Sequence, residues 1–212
     1  MNNELVIPVF LLGALVLVII WISTVVVVPA GHVGVHVMFG EVNPYPMRSG
    51  FYFKNPLASV QMMSIRTQEY TMTFITDEGA IKDRADVITA LTKEGLSVDL
   101  DITVLYSLNP KLAPTVYREI GMDYINVVVR PMIRSVISEI IAKYEAKNIY
   151  SESRQEISIE IQNKLQDELK PVGIQIERVL LRNVQLPDKL QEAISEKLET
   201  EDFALIYNYC ED

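Results

Sequence analysis

The chain has 212 residues, and its 28 acidic side chains outnumber its 19 basic ones, so its net charge is −9. A surface of this sign repels phosphate backbones, which argues against a nucleic-acid-binding protein. The only cysteine is Cys210, so an intramolecular disulfide framework is excluded.

The N-terminal part of the chain is dominated by residues 5–28, which contain no charged side chain. As an α-helix this segment would be roughly 36 Å long, enough to cross a hydrocarbon core of ~30 Å. A signal peptide normally carries Lys or Arg before a shorter apolar run, and residues 1–4 contain neither. We therefore predict a transmembrane anchor over residues 1–28, in preference to a signal peptide or a buried core helix. The first basic residues, Arg48 and Lys54, follow the anchor and favour a cytoplasmic domain.

The residues after the anchor predict a layer rich in β-strands. Residues 33–39 alternate Val or Phe with other side chains, which is the period of a strand. Residues 51–53, Phe-Tyr-Phe, follow a turn-rich segment, and we favour a strand with a packed face over insertion of these rings into the membrane interface. Residues 60–65 and 70–74 predict two more strands.

A β-hairpin is the clearest pattern in the middle of the chain. Residues 76–86 are charged and predict an exposed loop, which is also the expected place for an internal subdivision. Residues 87–92 then lead through Lys-Glu-Gly at 93–95 into a strand over residues 96–108. This strand alternates apolar and polar side chains, so we expect one face in the core and the other in solvent.

Amphipathic helices are predicted in the second half of the chain. Asn109 and the proline after it suggest the start of a short helix, which is interrupted or restarted at Pro114 and ended by Gly121. Residues 123–144 carry an apolar stripe at helical spacing, with Pro131 expected to kink the helix. Residues 153–169 predict a second amphipathic helix, which begins with a capping box.

The last part of the chain contains one strand and one short helix. Residues 174–184 are strand-like, and a shift in their apolar phase suggests a bulge or a sheet edge. Residues 187–198 resemble the start of a coiled coil, but the pattern covers fewer than the three or four heptads that a stable coiled coil needs.

The sequence predicts no catalytic, cofactor-binding or metal site. His32 and His36 are four residues apart, as zinc ligands on a helix can be, but glycine and valine neighbours favour a strand and no further ligands complete the set. Asp99 and Asp101 suggest a solvated strand face more than a metal pair, because two carboxylates alone make a poor Ca²⁺ or Mg²⁺ site. No nucleophile elbow or phosphate-binding loop is present.

The order of several short motifs resembles the SPFH, or band 7, superfamily, which includes stomatins, prohibitins, flotillins and Hfl-type protease modulators. The resemblance spans residues 29–198 and is closest to microbial prohibitin-like proteins. The motifs are Val-Pro-Ala-Gly-His-Val-Gly-Val at residues 28–35, Gly-Phe-Tyr-Phe at 50–53 with Pro56, and Leu-Thr-Lys-Glu-Gly-Leu-Ser-Val at 91–98. They continue with Val-Arg-Pro at 129–131 with Arg134, then Arg154, Gly-Ile at 173–174 and Leu-Pro-Asp at 186–188.

The resemblance implies an α+β fold: an N-terminal transmembrane helix, an SPFH domain over residues 29–186 with an antiparallel β-sheet packed by amphipathic helices, and a short C-terminal helix and tail over residues 187–212. Relatives continue into a long coiled coil, so this end resembles a coiled-coil stub. The implied protein is not an enzyme but a self-associating scaffold in a prokaryotic cell membrane.

The implied partners are membrane lipid, further copies of the chain or longer relatives, and a membrane-bound AAA protease of the FtsH type. The alternative is a membrane-tethered hydrolase or ligand-binding module whose site is not visible in one dimension. Catalytic groups need not be neighbours in sequence, so the absence of a motif does not remove this alternative.

Overall fold

The computed structural model describes Gly13 and residues 24–74, 86–150 and 154–185. The chain divides into two compact units, each composed of three segments. The first contains Met1–Gln68, Tyr106–Pro131 and Gln166–Glu177, and the second contains Glu69–Leu105, Met132–Leu165 and Arg178–Asp212.

Five short strands form two small sheets in the first unit. Strands β1 (Val25–Val28) and β4 (Gly50–Phe53) pair as an antiparallel two-stranded ribbon. Strand β2 (His32–Met38) lies between β3 (Glu41–Val42) and β5 (Ser59–Ser64), and both pairings are antiparallel. The strands predicted around residues 33–39 and 60–65 are therefore confirmed.

The end of the predicted anchor needs correction. The prediction extends the helix to residue 28, but Val25–Val28 form a strand with a partner in β4 at every position. Valine is β-branched and favours a pleated surface over a helix, so pairing with β4 prevails here. Apart from Gly13 and Thr24, the rest of the predicted anchor lies outside the described residues. None of the helices in the described ranges is long and apolar enough to span a bilayer.

The short helix of the first unit begins at the predicted restart near Pro114 and not at Asn109. Helix α1 is Ala113–Glu119, and its N-cap is Leu112 rather than Asn109. The Asn109 side chain instead accepts a hydrogen bond from the Lys111 backbone N–H at 3.0 Å, which forms a local turn before the helix. Gly121, with a φ of +99°, follows the helix as predicted.

A four-stranded sheet contains the longest strands among the described residues. Strand β8 (Ser97–Leu108) lies between β6 (Gln68–Met72) and β7 (Ile88–Leu91), and β9 (Ile174–Gln185) also pairs with β8. The β7–β8 register confirms the predicted hairpin, with Ile88 opposite Leu100.

The polar face of β8 differs from its prediction. Asp101, Thr103 and Ser107 are buried, although the alternation predicts a solvated face. Thr103 Oγ1 lies 2.9 Å from Thr71 Oγ1, so at least this polar group has a partner inside the protein. A polar side chain in a strand can therefore be buried when it has a hydrogen-bond partner on a neighbouring strand.

The predicted long helix is present, with an irregular first turn. A π-helical segment, Ile125–Val129, leads directly into α2 (Arg130–Ile141), so the distortion expected at Pro131 occurs as a wide turn just before the proline. The apolar stripe is confirmed. Its buried side chains in α2 are Ile133, Val136, Ile137, Ile140 and Ile141.

Two further helices follow, α3 (Ala146–Tyr150) and α4 (Arg154–Leu169). Helix α4 confirms the second amphipathic prediction, with buried side chains at Ile157, Ile161, Leu165 and Leu169. Ser153, the predicted capping residue, lies outside the described residues, as do residues 75–85 of the predicted loop and the C-terminal helix and tail over residues 187–212.

Asp86, the last residue of the predicted exposed loop, is buried with only 4% of its surface exposed. Its carboxylate accepts a hydrogen bond from the Tyr70 hydroxyl at 3.1 Å and forms an ion pair with Arg134. An acidic side chain that is buried with two such partners is stabilised in its charged form, so charge alone was a poor guide to exposure at this position.

Candidate membrane-contact surface

One face of the β1–β4 ribbon is apolar and open. The register places Val25 opposite Phe53 and Val27 opposite Phe51, and directly opposed residues of an antiparallel pair lie on the same face. Val27, Phe51 and Phe53 are 61%, 58% and 72% exposed. On the other face of the ribbon, Val28 is buried. The ribbon therefore has one packed face and one bare apolar face.

The two exposed phenylalanine rings contact each other. Their centroids are 5.1 Å apart and the ring planes cross at 87°, an edge-to-face arrangement. The prediction of a strand at residues 51–53 is confirmed, but the prediction of a packed face is wrong for Phe51 and Phe53. The pairing with β1 decides which face of β4 is packed, and it leaves these two rings on the open side.

A third aromatic ring is exposed at the turn between β2 and β3. Met38 pairs with Glu41, so Phe39 and Gly40 form a two-residue hairpin turn. Their φ angles are +50° and +88°, and a turn of this kind requires positive φ at both central residues. A bulky residue rarely adopts positive φ, and Phe39 is 81% exposed. The sequence predicts Phe39 as a strand residue, which is wrong because the hairpin turns at that position.

The turn after β4 lies beside this hairpin and beside the start of β1. The Asn55 amide is 4.0 Å from the Met38 sulfur, and the Asn55 side chain accepts a hydrogen bond from the Leu57 backbone N–H at 3.0 Å. The Lys54 backbone N–H donates to the Thr24 carbonyl at 2.7 Å. These contacts connect the turn to the residue at which the predicted anchor passes into β1.

We call this set of exposed side chains the apolar rim. Single exposed hydrophobic residues are ordinary, but several of them on neighbouring segments mark a candidate interaction surface. The rim overlaps the end of the predicted anchor at Val27, and the chain just after Phe53 is hydrogen-bonded to Thr24 of the anchor segment. Its members are Val27, Phe39, Phe51, Phe53 and Leu57.

The histidine and aspartate pairs that the sequence analysis considered as metal ligands lie in strands. His32 and His36 lie in β2, which confirms the strand, and the described residues contain no group of three or more potential metal ligands. Asp99 accepts a hydrogen bond from Thr89 Oγ1 at 2.6 Å. Asp101 is 2% exposed, so the solvated face predicted for this pair is wrong for Asp101.

Three residues of the SPFH-like motifs have contacts or backbone angles that explain their residue type. Arg134 pairs with buried Asp86, and the Arg154 guanidinium donates from Nε to the Leu181 carbonyl at 3.1 Å. Gly173 has a φ of +90°, and a Cβ at this position would lie 2.9 Å from the Leu112 and Val116 side chains. These motif residues therefore serve packing and backbone geometry.

The chain matches the SPFH domain / Band 7 family over residues 26–204. This match covers most of the chain, and the protein belongs to that family. Proteins of the family are generally membrane-associated scaffolds rather than enzymes. No curated protein matches the chain.

Proposed function

We propose that the protein is a membrane-anchored, self-associating scaffold that organises membrane patches or modulates a membrane-bound AAA protease, without a catalytic site of its own. The observation that carries this proposal is the apolar rim, which includes Val27 of the predicted anchor segment. The family match supports the general role.

In this proposal the rim lies against the bilayer. Amphipathic and apolar surfaces bind the headgroup and acyl boundary through buried apolar area, and aromatic rings favour that depth. With a net charge of −9, the protein gains no general attraction to anionic lipid, so the contact depends on apolar burial. The anchor and the rim together would fix the orientation of the first unit on the membrane.

Self-association would then act through multivalency. Each copy is held by one anchor, and copies joined side by side in a membrane bind together far more strongly than single contacts allow. Strand β7 pairs only with β8 within the described residues, so its outer edge is a candidate lateral contact. The protease partner, the prokaryotic cell membrane and the cytoplasmic side of the domain remain part of the proposal.

The membrane contact can be tested by the depth of a tryptophan probe in the full-length protein. The chain has one tryptophan, Trp21, so the background is Trp21→Phe. Phe53→Trp places the probe on the rim, and Ile159→Trp places a matched probe on α4, where the native side chain is 50% exposed. In nanodiscs that contain brominated lipid, we expect quenching of the rim probe and not of the helix probe. Equal quenching, or none at the rim, would contradict the contact.

Self-association can be tested by the mass of the full-length protein in nanodiscs or mild detergent. A scaffold predicts species of many copies, with crosslinks between copies and to neighbouring membrane proteins. A strictly monomeric protein that crosslinks to no membrane protein would contradict the scaffold proposal.

A further inference from the structure

A cavity of about 440 Å³ opens in the first unit beside the start of β2. Its polar lining consists of His32, Arg48, Ser49, Asn109 and Lys111, and the described residues place no acidic side chain in the lining. In a chain of net charge −9, this lining of two basic side chains and no carboxylate is a local excess of positive charge.

Hydrogen bonds hold the walls of this pocket in place. The Pro29 carbonyl accepts from the His32 backbone N–H at 3.2 Å and from the Ser49 hydroxyl at 3.3 Å, which ties two of the lining segments together. The Asn109 N–H donates to the Gly173 carbonyl at 2.8 Å. The Asn109 side chain in turn orients the Lys111 backbone. The pocket is therefore largely formed before any ligand enters, as small-molecule sites usually are.

The His32 side chain has an unmet hydrogen-bonding need. Its Nδ1 atom is buried and has no hydrogen-bond partner among the described residues. Most buried polar atoms have a partner, and an exception is a common sign of a missing ligand, ion or water. The His32 ring lines the pocket, so its signals report on a ligand that binds there.

We propose that this pocket binds a phosphate-type anion, with the Arg48 guanidinium and the Lys111 ammonium neutralising its charge and donating hydrogen bonds to its oxygens. A guanidinium can bind two oxygens of a phosphate at once, and charge-assisted bonds are about twice as strong as neutral ones. The same chemistry fits a free phosphate or the headgroup of an anionic lipid. The inference adds a ligand to the scaffold and does not depend on self-association.

The test uses the two histidines of the full-length chain as internal reporters. Selective ¹⁵N-histidine labelling gives imidazole NMR signals from His32 and His36 alone, and a His36→Gln variant distinguishes them. His36 lies four residues along the same strand, roughly 13 Å away, and does not line the pocket. In one arm, inorganic phosphate is titrated into protein in phosphatidylcholine nanodiscs. In the other, phosphatidylglycerol replaces part of the lipid without added phosphate.

We expect the His32 signal to move in at least one arm while the His36 signal stays. Movement with inorganic phosphate identifies a free anion, and movement with phosphatidylglycerol alone identifies a lipid headgroup. Arg48→Gln with Lys111→Gln should weaken the response at least about tenfold, because two charged donors are lost. The control, Arg118→Gln with Lys147→Gln, removes the same charge from exposed positions outside the pocket and should respond like the wild type.

The proposal is overturned if His32 is silent in both arms or if the pocket and control variants respond equally. Unmoved His36 signals report that the pocket variant is folded. Should they move, the single variant Lys111→Gln decides, with an expected weakening of about threefold; a wild-type response from this variant would also overturn the proposal.

Discussion

Strands β4 and β8 break the usual relation between polarity and burial in opposite directions. Strand β4 presents Phe51 and Phe53 to the outside, with more than half of each side chain exposed. Strand β8 buries Asp101, Thr103 and Ser107. Both strands were predicted correctly as strands, so the difference lies in what their side chains contact.

The two exceptions have different physical explanations. A buried hydroxyl costs little when it has a partner, and Thr103 has Thr71 at 2.9 Å. An exposed phenylalanine has no such compensation inside the protein, since its stabilisation comes only from removal of its surface from water. Strand β8 is therefore explained by the fold, whereas the described residues leave the β4 rings uncovered.

The largest expected effect comes from removing the rim rings. A variant that lacks residues 1–23 keeps Thr24 and β1, and we expect it to bind phosphatidylcholine vesicles weakly. Phe51→Gln with Phe53→Gln should lower this partition about a hundredfold, because two half-exposed rings contribute roughly 3 kcal/mol when buried. Vesicle sedimentation measures the change.

The matched control for this experiment changes exposed apolar residues away from the rim. Ile159 and Leu180 are 50% and 40% exposed, and replacing both with Gln should leave the partition unchanged. If the control loses as much binding as the rim variant, any exposed apolar side chain contributes to vesicle binding. The exposed rings of β4 would then not form a specific membrane-contact surface.

The second prediction concerns the hydroxyl pair on β8. Thr103→Val should lower the free energy of unfolding by about 1–2 kcal/mol, because it leaves the Thr71 hydroxyl buried without its partner. Changing both threonines to Val should recover most of the loss, since two apolar groups of the same shape pack against each other. Denaturant unfolding of the four proteins gives the cycle; additive losses would show that the hydroxyls do not depend on each other.

The sequence was informative wherever the pattern was local. The apolar stripe of α2 and the β7–β8 hairpin depend on residues close in sequence, and both were predicted. The burial of Asp101, the turn at Phe39 and the strand at residues 25–28 depend on which strands pair, and this information is not present in any short window. The same holds for the anion pocket, whose lining comes from His32, Arg48 and a turn near residue 110.

A third prediction tests a polar pair that is nearer to solvent than the β8 threonines. The Tyr144 hydroxyl donates to Glu160 at 2.5 Å. This bond lowers the pKa of Glu160 below its ordinary value of 4.5 and raises the pKa of Tyr144 above 10.0. The stabilisation from Glu160 is therefore present above pH 4.5 and is lost as the pH falls through the lowered value. The contribution of Tyr144 is present below pH 10.0 and is lost as the pH rises through the raised value.

Tyr144→Phe should accordingly cost about 1 kcal/mol of stability near neutral pH, and the difference from the wild type should shrink in strong acid and strong base. Unfolding curves across this range check the sign. A difference that stays constant with pH would mean that the ring packing, and not the ionised hydrogen bond, is responsible.

The smallest expected effect is that of a rim substitution that raises the free energy of unfolding but weakens vesicle binding. Phe39→Asn creates an Asn-Gly sequence at a turn with positive φ at both central residues, where asparagine is favoured and phenylalanine is strained. We expect the free energy of unfolding to rise by about 0.5–1 kcal/mol, while vesicle binding of the variant that lacks residues 1–23 falls several-fold. Opposite changes in stability and in binding would assign Phe39 to the membrane contact and not to the stability of the fold. If Phe39→Asn lowers both stability and binding, the ring packs within the protein in solution and does not belong to the membrane surface.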